Sequence, residues 1–459
     1  MKAYHLFRLA DAHFAYHIPA GRFIAVSPEA YELLRQRQED GSPPTANQQL
    51  LSDIAKLEAD GFFETEDPPI LGDAEFEAEV RGRLDSPRNS VFLSVASGCN
   101  LACRYCYCGV CRDQLPDKGL MTEDTALRAV DALFRDANPK QDVRITFFGG
   151  EPLLNKPVIR SVVEHSKKLA KARGVNAGFS MTTNATLIDD ETAALLTDSN
   201  FGLMVSLDGP KELHDAQCPT RDGAGSFELA AKGIRTLMKR RKQVTVRCTM
   251  AHPAPDAMRL IRFFKDFGFS RIVLGTVHNP TFPSGCDFTA EDSAAFDRCM
   301  EREILPWMIA ERKAGREPAY NPFDEIAEFQ GEERHKDKVP AMRCGACHGA
   351  MAVGPDGTLY PCHRFVGMEA WAIGTLDKGP DRAKCEAFWR RWRECMKGEC
   401  PRCWGFRICG GPCPWEIARA DGTFAMSGQL CDETRAWMQQ GAYYLHMTGD
   451  AGRNKGDKK

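Results

Sequence analysis

The run Ser97-Gly98-Cys99-Asn100-Leu101-Ala102-Cys103-Arg104-Tyr105-Cys106-Tyr107 decides how the rest of this chain is read. Its spacing, C-x-x-x-C-x-x-C, offers three thiolates to one iron-sulfur cluster and leaves one iron without a protein ligand. A 4Fe-4S cluster held by four Cys mostly moves electrons, and a structural zinc site closes with four N or S ligands. Three ligands therefore predict an open iron that a substrate or cofactor can bind. Taken alone, the run also permits a zinc knuckle completed by Cys108 or Cys111.

Downstream, short runs rich in Val, Ile, Phe, Thr or Met alternate with helical patterns. Strands are expected at Val91–Ala96, Val143–Phe148, Gly178–Thr183, Leu203–Leu207, Val244–Met250 and Arg271–Val277. Helices are expected at Thr122–Asp136, with Thr122 as N-cap, and at Lys156–Arg173, Asp190–Thr197, Ser226–Arg240 and Asp256–Phe267. Six β-α units in succession imply an α/β fold with a parallel sheet, here an incomplete barrel, and ligands at the carboxyl ends of the strands. Polar motifs fall at those ends. Phe147-Phe148-Gly149-Gly150-Glu151-Pro152 closes the second strand, Thr182-Thr183-Asn184 the third and Ser206-Leu207-Asp208-Gly209 the fourth, and Arg247 lies on the fifth. Two glycines let the backbone approach a ligand closely, and Glu151 can accept from an ammonium. Each motif read singly is also consistent with a capped turn.

A second cysteine group is independent of the first. Cys400, Cys403, Cys409 and Cys413 are spaced C-x2-C-x5-C-x3-C, with Cys431 beyond. Upstream, Cys344 and Cys347 precede a Gly-x-x-x-x-Cys hairpin that ends at Cys362. Eight cysteines make two clusters of four, with zinc as a rival occupant of the C-x-x-C pairs. Cys218, Cys248, Cys286, Cys299, Cys385 and Cys395 are scattered singly and read as buried free thiols.

The chain has 459 residues, 43% of them hydrophobic, and a formal net charge of -3, so no global field points to nucleic acid or a membrane surface. It shows neither an apolar signal core at the N-terminus nor a bilayer-spanning apolar stretch. Nineteen cysteines without a secretion signal fit metal ligation in a reducing compartment better than disulfides, and a cytoplasmic location is expected.

The three-cysteine run, with an aromatic residue before its last Cys, resembles the cluster motif of radical S-adenosylmethionine (SAM) enzymes. The resemblance implies that Cys99, Cys103 and Cys106 hold a 4Fe-4S cluster whose open iron is chelated by SAM. It further implies that Tyr105, Gly149, Gly150 and Glu151 help to seat SAM, with the Gly-Gly-Glu-Pro motif at its amino group. Asn184 and Ser206 would meet polar groups of ribose or methionine, and Arg247 would pair with the SAM carboxylate. Asp208, beside the expected SAM, is a candidate general base as well as the first residue of an Asp-Gly turn.

The second group resembles the SPASM domain, which carries two auxiliary iron-sulfur clusters in radical SAM enzymes that modify peptides. Interleaved ligation would assign Cys344, Cys347, Cys362 and Cys413 to the first auxiliary cluster and Cys400, Cys403, Cys409 and Cys431 to the second. Relatives often show Gly at the place of Cys347. Before residue 90, strands at Tyr4–Arg8, His13–Ile18 and Arg22–Val26 and helices at Pro28–Arg35 and Gln48–Asp60 resemble the small winged domain that binds a leader peptide by strand addition. A structural cap is the alternative.

The expected organisation is thus a recognition domain and linker over residues 1–85, a partial (β/α)6 radical SAM barrel over 86–309, a bridge over 310–339, the SPASM domain over 340–450 and a polar tail. Within the linker, Glu64–Asp85 is acidic and helix-prone. The resemblance implies an enzyme that forms a 5′-deoxyadenosyl radical and acts on a peptide or small-protein substrate, with electrons from a donor such as flavodoxin or ferredoxin. The hairpin ending Tyr360-Pro361-Cys362-His363-Arg364-Phe365 looks closest to maturases that form thioethers, including the one that links Cys to Asp or Glu in the small subunit of quinohemoprotein amine dehydrogenase. Two alternatives stand beside it: a sulfatase-type formylglycine maturase, and a non-enzymatic iron-sulfur or zinc adaptor.

Overall fold

Six short runs of β-branched and aromatic residues, each able to bury one face, assemble into a parallel sheet. The structure, a computed structural model, describes residues 4–19, 21–40, 62, 72–107, 119–241, 243–278, 284–331 and 343–450. The expected helix at Gln48–Asp60, the tail after residue 450, and Cys108 and Cys111 lie outside the described residues. Strands β1 (Tyr4–Leu9), β2 (Ala12–His17) and β3 (Arg22–Val26) form an antiparallel sheet of their own. Strands β4 (Ser90–Ala96), β5 (Val143–Gly149), β6 (Ala177–Thr183), β7 (Gly202–Ser206), β8 (Thr245–Met250) and β9 (Arg271–Thr276) are all parallel, in sequence order. This is the expected partial barrel, and each strand lies within one residue of its expected bounds.

Alternation along these strands divides their side chains between two surfaces. Leu93 and Val95, Ile145 and Phe147, Phe179 and Met181, and Leu203 and Val205 are buried in the main apolar core. Between them, Phe92, Thr146, Phe148, Met204, Ser206 and Arg247 are half-buried and line the inner surface. The helices begin where short polar side chains cap them. Thr122 accepts from Thr125 N at 3.2 Å, Asp189 from Thr192 N at 2.7 Å, and Asp256 from Arg259 N at 3.0 Å.

The cysteine-rich region extends this same sheet. Strand β10 (Ala352–Val353) runs parallel to β4, and β11 (Thr358–Tyr360), β12 (Gly374–Thr375) and β13 (Gly379–Pro380) follow antiparallel, which makes ten strands in one sheet. Behind them the helix Arg382–Met396 buries Phe388, Trp389 and Trp392. Phe365 stacks near Trp371 at 4.9 Å and Trp415 at 5.3 Å, which fixes the segment that follows Cys362.

One expected bound needs correction, that of the first helix. The acidic, helix-prone segment ending at Asp85 is helical over its described part. Asp73–Asp85 is a helix that buries Phe76 and Val80, with Arg393 over the Phe76 ring at 4.7 Å and bonded to Asp73 at 2.8 Å. Over its described part, the charged bridge takes in the end of the helix Leu305–Lys313 and the helix Asp324–Gly331. The first helix runs on from Pro28 to Asp40, five residues past the expected end.

The N-terminal sheet seats on the C-terminal region. His5 stacks on Trp404 at 4.3 Å, Tyr16 meets the same indole edge-on at 5.4 Å, and Phe14 meets His446 at 5.7 Å.

Candidate active site at the barrel mouth

The loop after β4 carries Cys99, Cys103 and Cys106, and backbone bonds tie it to the segment before residue 221. Ala102 N donates to Pro219 O at 2.8 Å and Arg104 N to Gln217 O at 2.9 Å. The Gly-Gly pair ending β5 packs on the same loop from the other side. Gly150 N donates to Ala96 O at 2.9 Å and Glu151 N to Gly98 O at 3.0 Å. Gly149 sits at φ 137°, and a Cβ on either glycine would collide with the backbone of Ala96 or Gly98. The close approach these glycines permit is thus first of all backbone against backbone, where the sequence reading expected a ligand.

Glu151 also differs from expectation. It is 1% exposed, its Oε1 accepts from Leu153 N at 3.0 Å and Thr183 Oγ1 at 2.7 Å, and its Oε2 accepts from Asn184 N at 2.8 Å. A carboxylate so enclosed does not reach a ligand ammonium directly. It locks the ends of β5 and β6 together. Burial raises its pKa, against the pull of those hydrogen bonds.

Asn184 turns toward the cluster loop, donating to Asn100 Oδ1 at 2.9 Å and lying 3.6 Å from Cys99 Sγ. Its Oδ1 accepts from Thr186 Oγ1 at 2.7 Å, and Asn100 donates back to Thr186 at 2.8 Å. Burial pushes the Cys99 thiol up to about 11, with the Leu101 N–H and Asn184 opposing. Iron would have to supply the charge that keeps this sulfur as a thiolate.

Ser206 and Arg247 face each other across β7 and β8, and the Arg247 guanidinium lies over Gly275, where a Cβ would come within 2.7 Å of it. Arg247 makes no hydrogen bond or ion pair among the described residues. Burial, together with Arg364, holds its pKa below the usual arginine value. A guanidinium that no protein carboxylate holds by a hydrogen bond among the described residues suits a ligand carboxylate.

Asp208 is 4% exposed. The Tyr105 hydroxyl donates to its Oδ2 at 2.6 Å and Thr249 N donates to Oδ1 at 2.9 Å, while Cys218 Sγ lies 3.3 Å from Oδ2. Burial pushes its carboxyl up to about 6, with Tyr105, Thr249 and Arg247 opposing. Asp208 is therefore neither an open base nor a bare turn residue. It anchors the aromatic residue of the cluster loop to β8.

The structure also pairs Cys103 with Cys218, read from sequence as a solitary thiol. A disulfide and an iron ligand are alternative uses of the Cys103 sulfur, so iron binding requires the reduced pair.

Above the loop lies a cavity of about 610 Å³ between the barrel mouth and the cysteine-rich region. Ser97, Phe148 and Gly150 line one side and Tyr360, Arg364 and Trp415 the other. His363 also lines it, packed on Phe148 at 4.4 Å and Phe92 at 4.7 Å, and burial with the nearby Arg364 and Arg247 brings its pKa down to about 3. His363, Arg364, Asn100 and Cys218 escaped the sequence reading, because each becomes part of the site only through partners distant in the chain.

A second cavity, of about 650 Å³, is lined by Cys400, Cys403, Cys409 and Cys431, with Cys344 and Cys413 at its wall. The thiols influence one another in two sets. Cys400 feels Cys409, Cys431 and Cys403, whereas Cys362 feels Cys413 and Cys344. The second cavity presents thiol donors whose chemistry suits iron. Among the described residues, no three His, Cys, Asp or Glu side chains converge on a single ion position, and no helix is long and apolar enough to cross a membrane.

Residues 93–264 match the radical SAM superfamily. The cysteine-type anaerobic sulfatase-maturating enzyme of Clostridium perfringens is 24% identical over 71% of this chain and 89% of its own length. The serine-type enzyme of Klebsiella aerogenes is 26% identical over 74% of this chain and 82% of its own. Among solved structures, anSMEcpe with bound AdoMet and the Cp18Cys peptide superposes with a TM-score of 0.66 at 20% identity, covering 79% of this chain and 99% of that one. Streptococcus suis SuiB bound to precursor peptide SuiA gives 0.52 at 15% identity, covering 93% and 99%. The fold is shared with both, and the chain carries a radical SAM domain, matched over residues 93–264.

Proposed function

We propose that this protein is a radical SAM maturase that modifies a ribosomally made peptide or small protein, forming cross-links between a Cys sulfur and a carbon of the same peptide. One observation carries the reading: the cavity at the barrel mouth is shared between the loops of the radical SAM domain and the Tyr360–Phe365 hairpin of the cysteine-rich region. Cys99, Cys103 and Cys106 would hold the cluster. Gly149, Gly150, Asn184, Ser206, Tyr105 and Arg247 border the place where SAM would sit. When bound, SAM and its reduced cluster supply a 5′-deoxyadenosyl radical able to remove hydrogen from an unactivated carbon. The chain itself contributes positioning. Glu151 and Asp208 fix the loops, Arg247 offers a cation to the SAM carboxylate, and His363 and Arg364 face the remaining volume.

The two cysteine sets suit two auxiliary 4Fe-4S clusters, Cys344, Cys347, Cys362 and Cys413 for the first and Cys400, Cys403, Cys409 and Cys431 for the second. One of them would accept the electron left after the bond forms, and a small reduced iron-sulfur or flavin protein such as ferredoxin or flavodoxin would supply electrons to the first cluster. Formylglycine formation is the second reading, favoured by the sulfatase-maturating relatives. In support of the first reading, the likeness to SuiB bound to precursor peptide SuiA covers 93% of this chain, against 79% for anSMEcpe.

The test is mass spectrometry of candidate peptides after anaerobic incubation with SAM and reductant. Cys- and acid-rich small proteins encoded beside this gene are the first set, and sulfatase-derived Cys or Ser peptides are the second. Loss of two hydrogens per cross-link in the first set supports the proposal. An aldehyde in the second, with no change in the first, replaces it by the formylglycine reading.

A further inference from the structure

A third cavity, of about 290 Å³, lies beside β9, the strand that ends the sheet on its barrel side. The helix Ala290–Cys299 and the long helix Gly428–Thr448 of the cysteine-rich region close it in. Leu274, Phe288, Met300 and Trp437 give it apolar walls, and the Trp437 indole is fixed by donating to Pro322 O at 2.9 Å. Gly275, over which the Arg247 guanidinium lies, also borders it, so the cavity adjoins the place argued above for SAM.

Two polar groups on its wall lack the partner they need. Tyr320 is 5% exposed, and its hydroxyl makes no hydrogen bond among the described residues. A buried hydroxyl left in that state is costly, and nearly all such groups are satisfied. Asp297 is the second. Its Oδ1 accepts from Gln440 at 2.9 Å, no cation among the described residues pairs with it, and burial together with the neighbouring Glu433 raises its pKa. Glu433 on the same wall differs, because His278 at 2.8 Å, Ser293 at 2.5 Å and Gln429 at 3.0 Å occupy both of its oxygens. Just beyond Asp297 the helix widens into a π-helical turn, Met300–Ile304, a form frequent at functional sites.

We propose that this cavity is a specificity subsite for a Lys or Arg side chain of the peptide substrate, with Asp297 as counter-ion and the Tyr320 hydroxyl as a second polar contact. The proposal rests on the peptide-maturase reading given above. A long basic side chain matches the lining, since its methylene stem lies on apolar and aromatic walls while its charged head meets a carboxylate. Sites for whole small molecules hold ~300–1,000 Å³, so this smaller volume suits a single side chain. An acidic side chain would face Asp297 and Glu433, and an apolar one would leave Asp297 and Tyr320 buried without partners.

The experiment titrates N-acetyl-arginine amide and N-acetyl-norleucine amide, alike in their stems and different in charge, into full-length, anaerobically reconstituted protein by isothermal titration calorimetry. Wild type should bind the arginine probe saturably and about tenfold or more tightly than the norleucine probe. Asp297→Asn, which keeps the oxygen that Gln440 uses, should weaken the arginine probe about tenfold, and Tyr320→Phe about threefold. Absence of saturable binding of the arginine probe to wild type, equal affinity for the two probes, or unchanged affinity in Asp297→Asn overturns the proposal. Should Asp297→Asn fail to fold, Tyr320→Phe decides alone, and unchanged affinity there overturns it. The maturase reading fails on a different result, the absence of modified peptide in the mass spectra described above, which these titrations do not touch.

Discussion

Gly150 offers the sharpest test of how the barrel mouth is built. Its backbone conformation lies outside the left-handed region, so Gly150→Ala probes space alone. The new Cβ would lie 2.9 Å from Cys99 N and closer still to Gly98 C and O, all of them backbone atoms that cannot rotate away. Relieving the contact requires roughly 1 Å of movement between the β5 turn and the cluster loop, and overpacking of this kind costs ~1–3 kcal/mol. The larger consequence is geometric, because misplacing reacting groups by about 1 Å lowers rate by ~10²-fold. Cys99 would be the first ligand on that loop. Gly150→Ala should therefore lower the melting temperature by several degrees and reduce reductive SAM cleavage, measured as 5′-deoxyadenosine, by about a hundredfold. Gly82→Ala is the control, since a Cβ there meets nothing within 4 Å and the helix should gain slightly. Wild-type SAM cleavage by Gly150→Ala would refute the claim that backbone contact between these two loops sets the cluster geometry.

Asp208→Ala should leave the Tyr105 hydroxyl and Thr249 N–H without their acceptor and cost about 2–4 kcal/mol in thermal unfolding, whereas Asp208→Asn keeps one acceptor oxygen and removes a buried charge, costing less than half as much; equal losses would contradict the anchoring role. Burial pushes the Asp292 carboxyl up, but the N–H groups of Thr289 and Ala254, with His252 and the Thr289 hydroxyl, outweigh it and bring it down to about 2. Because the folded value lies below the ordinary 3.8, roughly 2 kcal/mol of stability should be present above pH 4 and lost as pH falls through 2. The difference in unfolding free energy between wild type and Asp292→Asn, followed from pH 5 to pH 2, checks this by shrinking. Replacing Cys99, Cys103 and Cys106 together by Ala should reduce iron from about twelve to about eight per chain and leave the auxiliary clusters in place; a loss of all iron would show that the sites are not independent.

The barrel was legible because each strand is a short β-branched run and several of the helices open on a capping residue such as Thr122 or Asp256. Both cysteine groups were legible from spacing. What local sequence could not show is the direction in which buried polar groups point. Glu151 was expected to face a ligand, but Thr183 and Asn184, more than thirty residues away, claim both of its oxygens. Asp208 was weighed as a base or a turn, yet its partner is Tyr105, 103 residues earlier. Cys218 looked solitary because Cys103 approaches it only in the fold. Strands β10 to β13, of two or three residues each, are too short to show a period-2 pattern. The seating of the N-terminal sheet on Trp404 likewise has no local signature, since it joins His5 and Tyr16 to a residue almost four hundred positions away.

The most direct test of the central claim is simultaneous quantification of 5′-deoxyadenosine and peptide mass in one anaerobic reaction of wild type with SAM, reductant and the substrate peptide. The account predicts about one 5′-deoxyadenosine per cross-link, two hydrogens lost from the peptide for each, and neither product from the Cys99, Cys103 and Cys106 triple variant. Peptide cross-linked by the triple variant, or cross-linking by wild type without 5′-deoxyadenosine, would contradict it.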